Sequence, residues 1–185
     1  MSVELAERAD VAAILAIVNG AGALGVANLV TEPEPLDQWL EAFDTTHERY
    51  PWLVMRDRGR VVAFAKAGPH KARGGYHWSA DVTVYVDPAF VRQGLGRRLY
   101  GVLIPLLKRQ GYATLIGGIT LPNAGSEALH EAFGFTHCAT FRRIGYKAGQ
   151  WRTVGYWEKH LLTGDAAPAA IRPVREVWSE PEAGV

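Results

Sequence analysis

From Leu95 onward the apolar residues fall at Leu95, Leu99, Val102, Leu103, Leu106 and Leu107. Steps of three and four place them on one face of a helix packed against a sheet. Pro105 lies inside this run and removes one backbone hydrogen bond, but the residue four positions earlier is Gly101, so a bend is predicted rather than a break. Gly111 ends the helix. Upstream, Val3 to Arg8 reads as a short strand, and Asp10 as the cap of a helix over Val11 to Val18 that stops at Asn19-Gly20. Gly20 to Thr31 reads as a loop. Pro33 and Pro35 then precede a helix from about Leu36 to Arg49 that Pro51 closes.

A strand opens at Trp52, turns at Asp57 to Arg60, and pairs as a hairpin with Val61 to Ala67. After the polar loop Gly68 to Gly75 comes a strand over Ser79 to Val86, closed by Asp87-Pro88. Beyond the long helix follow a strand at Thr114 to Ile119, a helix at Ala124 to Phe133, and strands at Thr136 to Ile144 and Gln150 to Leu161. The pattern predicts one α/β domain over residues 1–163, a mixed central sheet of about seven strands with about four helices on its faces. The Pro-rich tail, 164–185, reads as irregular and laid over the surface.

Composition changes this picture little. The chain has 185 residues, 48% of them hydrophobic and 21% charged, within the range of a single well-cored globular domain. Twenty Lys plus Arg against nineteen Asp plus Glu leave a net charge of +1, which argues against a broad nucleic-acid surface and makes any anion site local. The single cysteine, Cys138, excludes an internal disulfide and a Cys-rich zinc site. His70 and His77, like His130 and His137, lie seven apart, without the paired spacing of metal ligands, so no metal is expected. The N-terminus MSVELAERAD is charged where a secretory signal is apolar, and a cytoplasmic location with no membrane partner is expected.

The stretch VRQGLGRRLY, Val91 to Tyr100, sits between the strand at Ser79 to Val86 and the long helix. A nucleotide P-loop needs G-x-x-x-x-G-K-S/T, and no such string exists here. A dinucleotide fingerprint needs G-x-G-x-x-G, but Leu99 occupies the third glycine position. What remains is either a tight turn or a helix N-terminus whose free N–H groups hold a phosphate, with Arg92, Arg97 and Arg98 adding charge.

The string ADVTVYVDPAFVRQGLGRRLYGVLIPLL, followed by LPNAGSEALHEAFGF, resembles the GNAT family of acetyl-coenzyme A dependent N-acetyltransferases. Their cofactor loop, Q/R-x-x-G-x-G/A, falls on Val91 to Gly96, with Val91 in place of the first Gln or Arg. From about Thr31 to Val174, the strings TEP, YPWLV, AGPHKARGGYHW, TVYV, LPN, LHEAFGF, GYKAGQW, VGYW and RPV, in that order, are similar to the phosphinothricin N-acetyltransferase subfamily. Those enzymes acetylate the amine of phosphinothricin, methionine sulfoximine or methionine sulfone.

The resemblance implies a small-molecule amine substrate, acetyl-coenzyme A as co-substrate, and a homodimer, with the late strands and aromatic-rich Trp151 to Trp157 as its candidate contact. Acetyl transfer needs a neutral nitrogen, a polarised thioester and a proton for the departing thiolate; an amino acid's ammonium is mostly protonated at neutral pH, so a base is required. By the resemblance that base is Asp81, two positions before T-V-Y-V, where the family generally has Glu. Asp withdraws the carboxylate by roughly 1.5 Å, a gap that a bridging water can span. His130 stands where many GNAT enzymes carry a tyrosine and is implied as a catalytic base or acid. The resemblance further implies that the backbone of Val84, Tyr85 and Val86 pairs with the pantetheine arm. It places the pyrophosphate on Arg92, Gln93, Gly94, Leu95, Gly96 and Arg97, and the arm also against Asn123 and Ser126.

For the acceptor, Arg73 offers a carboxylate fork, Tyr76 and Trp78 an aromatic wall, and Asn28 a polar contact. The related enzymes tend to read N-F-R-T-E-P where this chain has Asn28-Leu29-Val30-Thr31-Glu32-Pro33, so an aromatic and an arginine are lost. Two alternatives stay open at the level of sequence. One is a GNAT acetyltransferase for another small amine, the other a non-catalytic sensor of acyl-coenzyme A.

Overall fold

The computed structural model describes residues 1–25 and 27–179. Its strands are β1 (Val3–Leu5), β2 (Trp52–Asp57), β3 (Arg60–Pro69), β4 (Ser79–Val86), β5 (Thr114–Leu121), β6 (Thr136–Lys147) and β7 (Gln150–His160). They form one sheet in the order β1-β2-β3-β4-β5-β7-β6. Every neighbouring pair is antiparallel except β4 and β5, which are parallel and joined through a helical crossover. The helices are α1 (Val11–Leu24), α2 (Leu36–Thr46), α3 (Leu95–Gln110), α4 (Ala124–Ala132) and the short α5 (Val174–Val177). This is the mixed α/β architecture expected from the order of apolar periodicities.

Alternation along the central strands splits the core in two. Ala80 and Val82 of β4, with Ala63 and Ala65 of β3, pack under Leu95, Leu99, Leu103 and Leu106 of α3. On the other face, Val54 and Phe64 meet Val11, Ile14 and Val18 of α1 and Phe43 of α2, with Tyr85 against them. The helix α3 runs unbroken across Pro105, which lies on its exposed side.

Several boundaries differ from the sequence reading: β3, β5 and β6 run on to Pro69, Leu121 and Lys147, and three differences bear on the packing. The first helix does not stop at Asn19-Gly20 but continues to Leu24. A Cβ on Gly22 would lie 3.1 Å from Asn28 Oδ1 and 3.3 Å from Val30 Cβ, so the glycine there admits the following loop rather than ending the helix. The first strand ends at Leu5, and Arg8–Asp10 form a 3-10 turn in which Glu7 N–H donates to the Asp10 carboxylate at 2.9 Å. The second helix ends at Thr46. The tail, expected to be irregular, contains α5, whose Val174 and Val177 are buried. It is strapped to the back of α3, with Gln110 Nε2 donating 2.8 Å bonds to the carbonyls of Arg49 and Arg172.

Candidate active site

Strands β4 and β5 pair only through Ser79–Thr114, Ala80–Leu115 and Asp81–Ile116. Beyond Asp81 they diverge, so that residues 82–86 keep β3 on one side and have no strand on the other. The backbone N–H and C=O groups of this edge line a groove of about 860 Å³ that also takes in Val84, Tyr85, Val86, Tyr100, Asn123, Ser126 and His130.

At one end of the groove, the chain turns from β4 into α3. Arg92 has φ 63° and Gly94 φ 78°, and Gly94 caps the helix in the left-handed region where a Cβ is disfavoured. The first intrahelical bond is Arg98 N–H to the Gly94 carbonyl at 3.1 Å, which leaves the N–H groups of Leu95, Gly96 and Arg97 at the positive end of the helix. A Cβ on Gly96 would meet Leu129 of α4 at 3.3 Å and Val84 at 3.8 Å, so glycine here keeps the floor of the groove open. These features suit a pyrophosphate held by main-chain donors. Val91, Arg92, Gly94, Leu95, Gly96 and Arg97 line the groove, whereas Gln93 does not. Arg97 lies over the Phe133 ring at 5.8 Å, and Arg98 is turned away, donating to the Met1 carbonyl at 2.6 Å.

His130 reaches the groove from α4 and is 4% exposed. Its Nδ1 lies 2.8 Å from the Ser126 carbonyl, which can only accept, so Nδ1 carries the proton. Nε2 then accepts from the Tyr100 hydroxyl at 3.1 Å. Burial lowers the His130 pKa and raises that of Tyr100, so the imidazole is neutral and the phenol stays protonated. Gly117 of β5 makes the room: a Cβ there would sit 2.3 Å from His130 Nε2. Tyr100 carries no signal in the sequence beyond its place on a buried helical face. Asn123 caps α4, its Oδ1 accepting from Ser126 N–H at 3.1 Å.

Because Ala80 and Val82 face α3, Asp81 points to the opposite side of the sheet, the side of Tyr85. Its carboxylate is half-exposed and lies 2.7 Å from His70 Nδ1, a partner that no sequence pattern indicates. Burial pushes the Asp81 carboxyl above its ordinary value, opposed by the His70 hydrogen bond and by the His70 and Lys71 charges. On the same face, Lys66 of β3 stands over Trp52 at 4.3 Å and Trp39 at 4.8 Å, and burial lowers its pKa to about 8.

The residues expected at the acceptor divide. Arg73 and Tyr76 are exposed around the 3-10 turn Gly74–Tyr76, and the Tyr76 ring meets His70 edge-on at 5.7 Å. Trp78 instead donates its indole N–H to the Ala169 carbonyl at 2.7 Å, so its polar edge is spent on the tail. Asn28 works as a clamp: its Nδ2 donates to the Val18 carbonyl at 3.2 Å, and Lys147 Nζ donates to its carbonyl at 3.0 Å. Its neighbours Gly25 and Ala27 reach the groove. Among the described residues no group of His, Cys, Asp and Glu is placed to hold a metal, and no helix is long and apolar enough to cross a membrane.

Comparison with known proteins agrees with this geometry. The chain is 40% identical over 172 residues to phosphinothricin N-acetyltransferase of Streptomyces viridochromogenes, covering 93% of each. It is 33% identical over 173 residues to the L-methionine sulfoximine/L-methionine sulfone acetyltransferase of Salmonella typhimurium, covering 92% of this chain and 99% of that one. A Salmonella typhimurium acetyltransferase solved with its cofactor acetyl-CoA superposes with a TM-score of 0.85 at 32% identity, covering 91% of this chain and 98% of the other. Residues 3–153 match the acetyltransferase (GNAT) domain. The split sheet, the glycine-led helix and these matches together establish that the chain belongs to the GNAT family of acetyl-CoA dependent N-acetyltransferases.

Proposed function

We propose that the enzyme acetylates the amine of a small amino-acid-like substrate of the phosphinothricin, methionine sulfoximine or methionine sulfone type. The observation that carries this is the 40% identity extending over 93% of both chains to an enzyme of that substrate class. The coenzyme's pantetheine arm pairs with the open edge of Val84, Tyr85 and Val86. Its pyrophosphate sits on the N–H groups of the turn and first residues of α3, beside Arg92 and Arg97. The Nδ2 of Asn123, without a hydrogen-bond partner among the described residues, and the Ser126 side chain complete the contact along α4.

The amine enters on the Asp81 side of the sheet, where Arg73 takes its carboxylate and Tyr76 borders it. An ammonium group loses one proton to the base at Asp81, whose burial-raised pKa suits it to accept. The freed amine attacks the thioester carbonyl carbon, the nitrogen loses a second proton, and the C–S bond breaks. The coenzyme thiolate leaves and takes up one proton, so the overall reaction releases one. From the α3 side, Tyr100 and His130 border the departing sulfur: the Tyr100 hydroxyl donates its one proton to neutral Nε2 and fixes the ring, and the thiolate takes its proton from those shed by the amine nitrogen.

Release of coenzyme A, followed with a thiol reagent across a panel of amino-acid analogues and other small amines, tests this reading. The highest kcat/KM is expected among α-amino acid analogues. Fastest turnover of a polyamine or arylamine would assign another amine, and tight acetyl-CoA binding without turnover of any amine would make the protein a sensor.

We further infer a homodimer. Phe141, Ile144, Tyr146 and Trp151 are each at least 50% exposed on β6 and β7 at the sheet's edge. Such a cluster on an edge strand is covered in solution by a partner. Sedimentation equilibrium should give twice the chain mass, and Trp151→Asp should give a monomer.

A further inference from the structure

We propose that His70 is the proton-accepting group of the acceptor site, with Asp81 holding it in place, so that the base is a His–Asp dyad rather than a lone carboxylate. This rests on the reading of Asp81 as the seat of the base. The two side chains lie 2.7 Å apart, Nδ1 to Oδ1. A carboxylate can only accept from this nitrogen, so Nδ1 carries the proton and Nε2 the lone pair. Nε2 has no hydrogen-bond partner among the described residues. The arrangement is that of a base oriented by a second group, the pattern in which a carboxylate fixes the tautomer and stabilises the imidazolium that forms.

The placement follows from the hairpin. Gly68 of β3 lies directly opposite Asp81 and Pro69 opposite Ala80, so His70 is the first residue free of the ladder. A Cβ on Gly68 would meet nothing within 4 Å, so no cross-strand side chain crowds the carboxylate. Tyr76 meets the ring edge-on from the following turn, and the His70 side chain is 21% exposed. Asp81 stands where the family generally has Glu, which leaves its carboxylate roughly 1.5 Å short. With Nδ1 on the carboxylate, Nε2 lies across the ring from Asp81 and so places the accepting lone pair beyond the reach of the carboxylate itself. The step balances: Nε2 takes one proton from the substrate ammonium, giving a neutral amine and an imidazolium paired with Asp81.

The test compares His70→Asn, His70→Ala, Asp81→Asn and the double variant His70→Ala/Asp81→Glu. Asn retains a donor near the Nδ1 position and so preserves any role as a loop anchor, but lacks Nε2. Expected are a fall in kcat of about 10² for His70→Asn with KM for acetyl-CoA unchanged, partial recovery of His70→Ala by imidazole in the buffer, and recovery in the double variant as the longer carboxylate regains the lost length. A His70→Asn enzyme as fast as wild type beside an impaired Asp81→Asn overturns the dyad and leaves Asp81 as the base. Loss in His70→Ala that neither imidazole nor the added Asp81→Glu change restores also overturns it, as a structural role. An Asp81→Asn enzyme with full activity overturns the underlying reading itself.

Discussion

Replacing Gly117 with Ala perturbs His130 without touching it. The new Cβ would stand 2.3 Å from Nε2 and 2.6 Å from Cδ2, where ordinary contact begins near 3.4 Å, so the ring must retreat by about 1 Å. It has little freedom to do so. Nδ1 is tied to the Ser126 carbonyl at 2.8 Å, and the ring packs against Phe135 at 5.1 Å and Tyr100 at 5.3 Å between centroids. Overpacking of this kind costs about 1–3 kcal/mol, a fall in Tm of roughly 3–9 °C for a domain of this size. A displacement of about 1 Å in a group proposed to border the reacting atoms lowers kcat by about 10². Coenzyme A release at saturating acetyl-CoA, paired with a melting curve, separates the two effects. The expected result is a folded enzyme with a depressed kcat and a KM for acetyl-CoA changed by less than about threefold. A Gly117→Ala enzyme with wild-type kcat and an unshifted Tm would falsify the placement of His130 over this strand.

Other expectations follow from other parts of the molecule. Gly96→Val places a branched side chain between α3 and α4, 3.3 Å from Leu129 at its Cβ, and should raise KM for acetyl-CoA about tenfold or more while the protein melts normally. Asp10→Ala removes the 2.7 Å partner of Arg56 and the acceptor of Glu7 N–H; a loss of about 2–3 kcal/mol in urea unfolding is expected, and one below about 0.5 kcal/mol would show the pair to be incidental. Lys66 has a folded pKa of about 8 against an ordinary 10.5, so between these values the unfolded chain binds more protons. Stability should therefore rise with pH across that window through this group, and Lys66→Met should flatten the slope, as read by denaturation at pH 7.5, 9 and 10.5.

What the sequence discloses is set by the range of the interactions involved. The stripe from Leu95 to Leu107 and the Gly94-Leu95-Gly96 turn are local patterns, and the structure reproduces both. The end of α1 is misplaced by sequence because glycine is a weak helix residue by intrinsic propensity, while here Gly22 is set by contact with Asn28 and Val30. Val174 and Val177, one turn apart behind Pro173, carry a faint helical signal, but their burial, Val177 in the core that includes α3, depends on tertiary packing. Asn28 and Trp78 look like binding residues in a string of letters; their partners, Val18, Lys147 and Ala169, lie 10 to 119 positions away. His70 appears in the sequence only within the string AGPHKARGGYHW and as a histidine too far from its neighbour to share a metal, since its closeness to Asp81 exists only once β3 and β4 are in register.

The three-residue ladder between β4 and β5 has a mechanical consequence. With pairing confined to Ser79–Asp81, the sheet is two panels, β1 to β4 and β5 to β7, joined at one end and connected along the chain through α3. The inner margin of the first panel presents a row of bare main-chain donors and acceptors, the kind of edge that recruits stray strands. A ligand that lies along this margin closes it as well as reacting beside it. Occupancy should then stiffen both panels together, with amide exchange slowing at residues 82–86 and 117–121 in parallel. With the coenzyme in its proposed place, holding it and keeping an interior sheet edge from aggregating become one task for the same backbone.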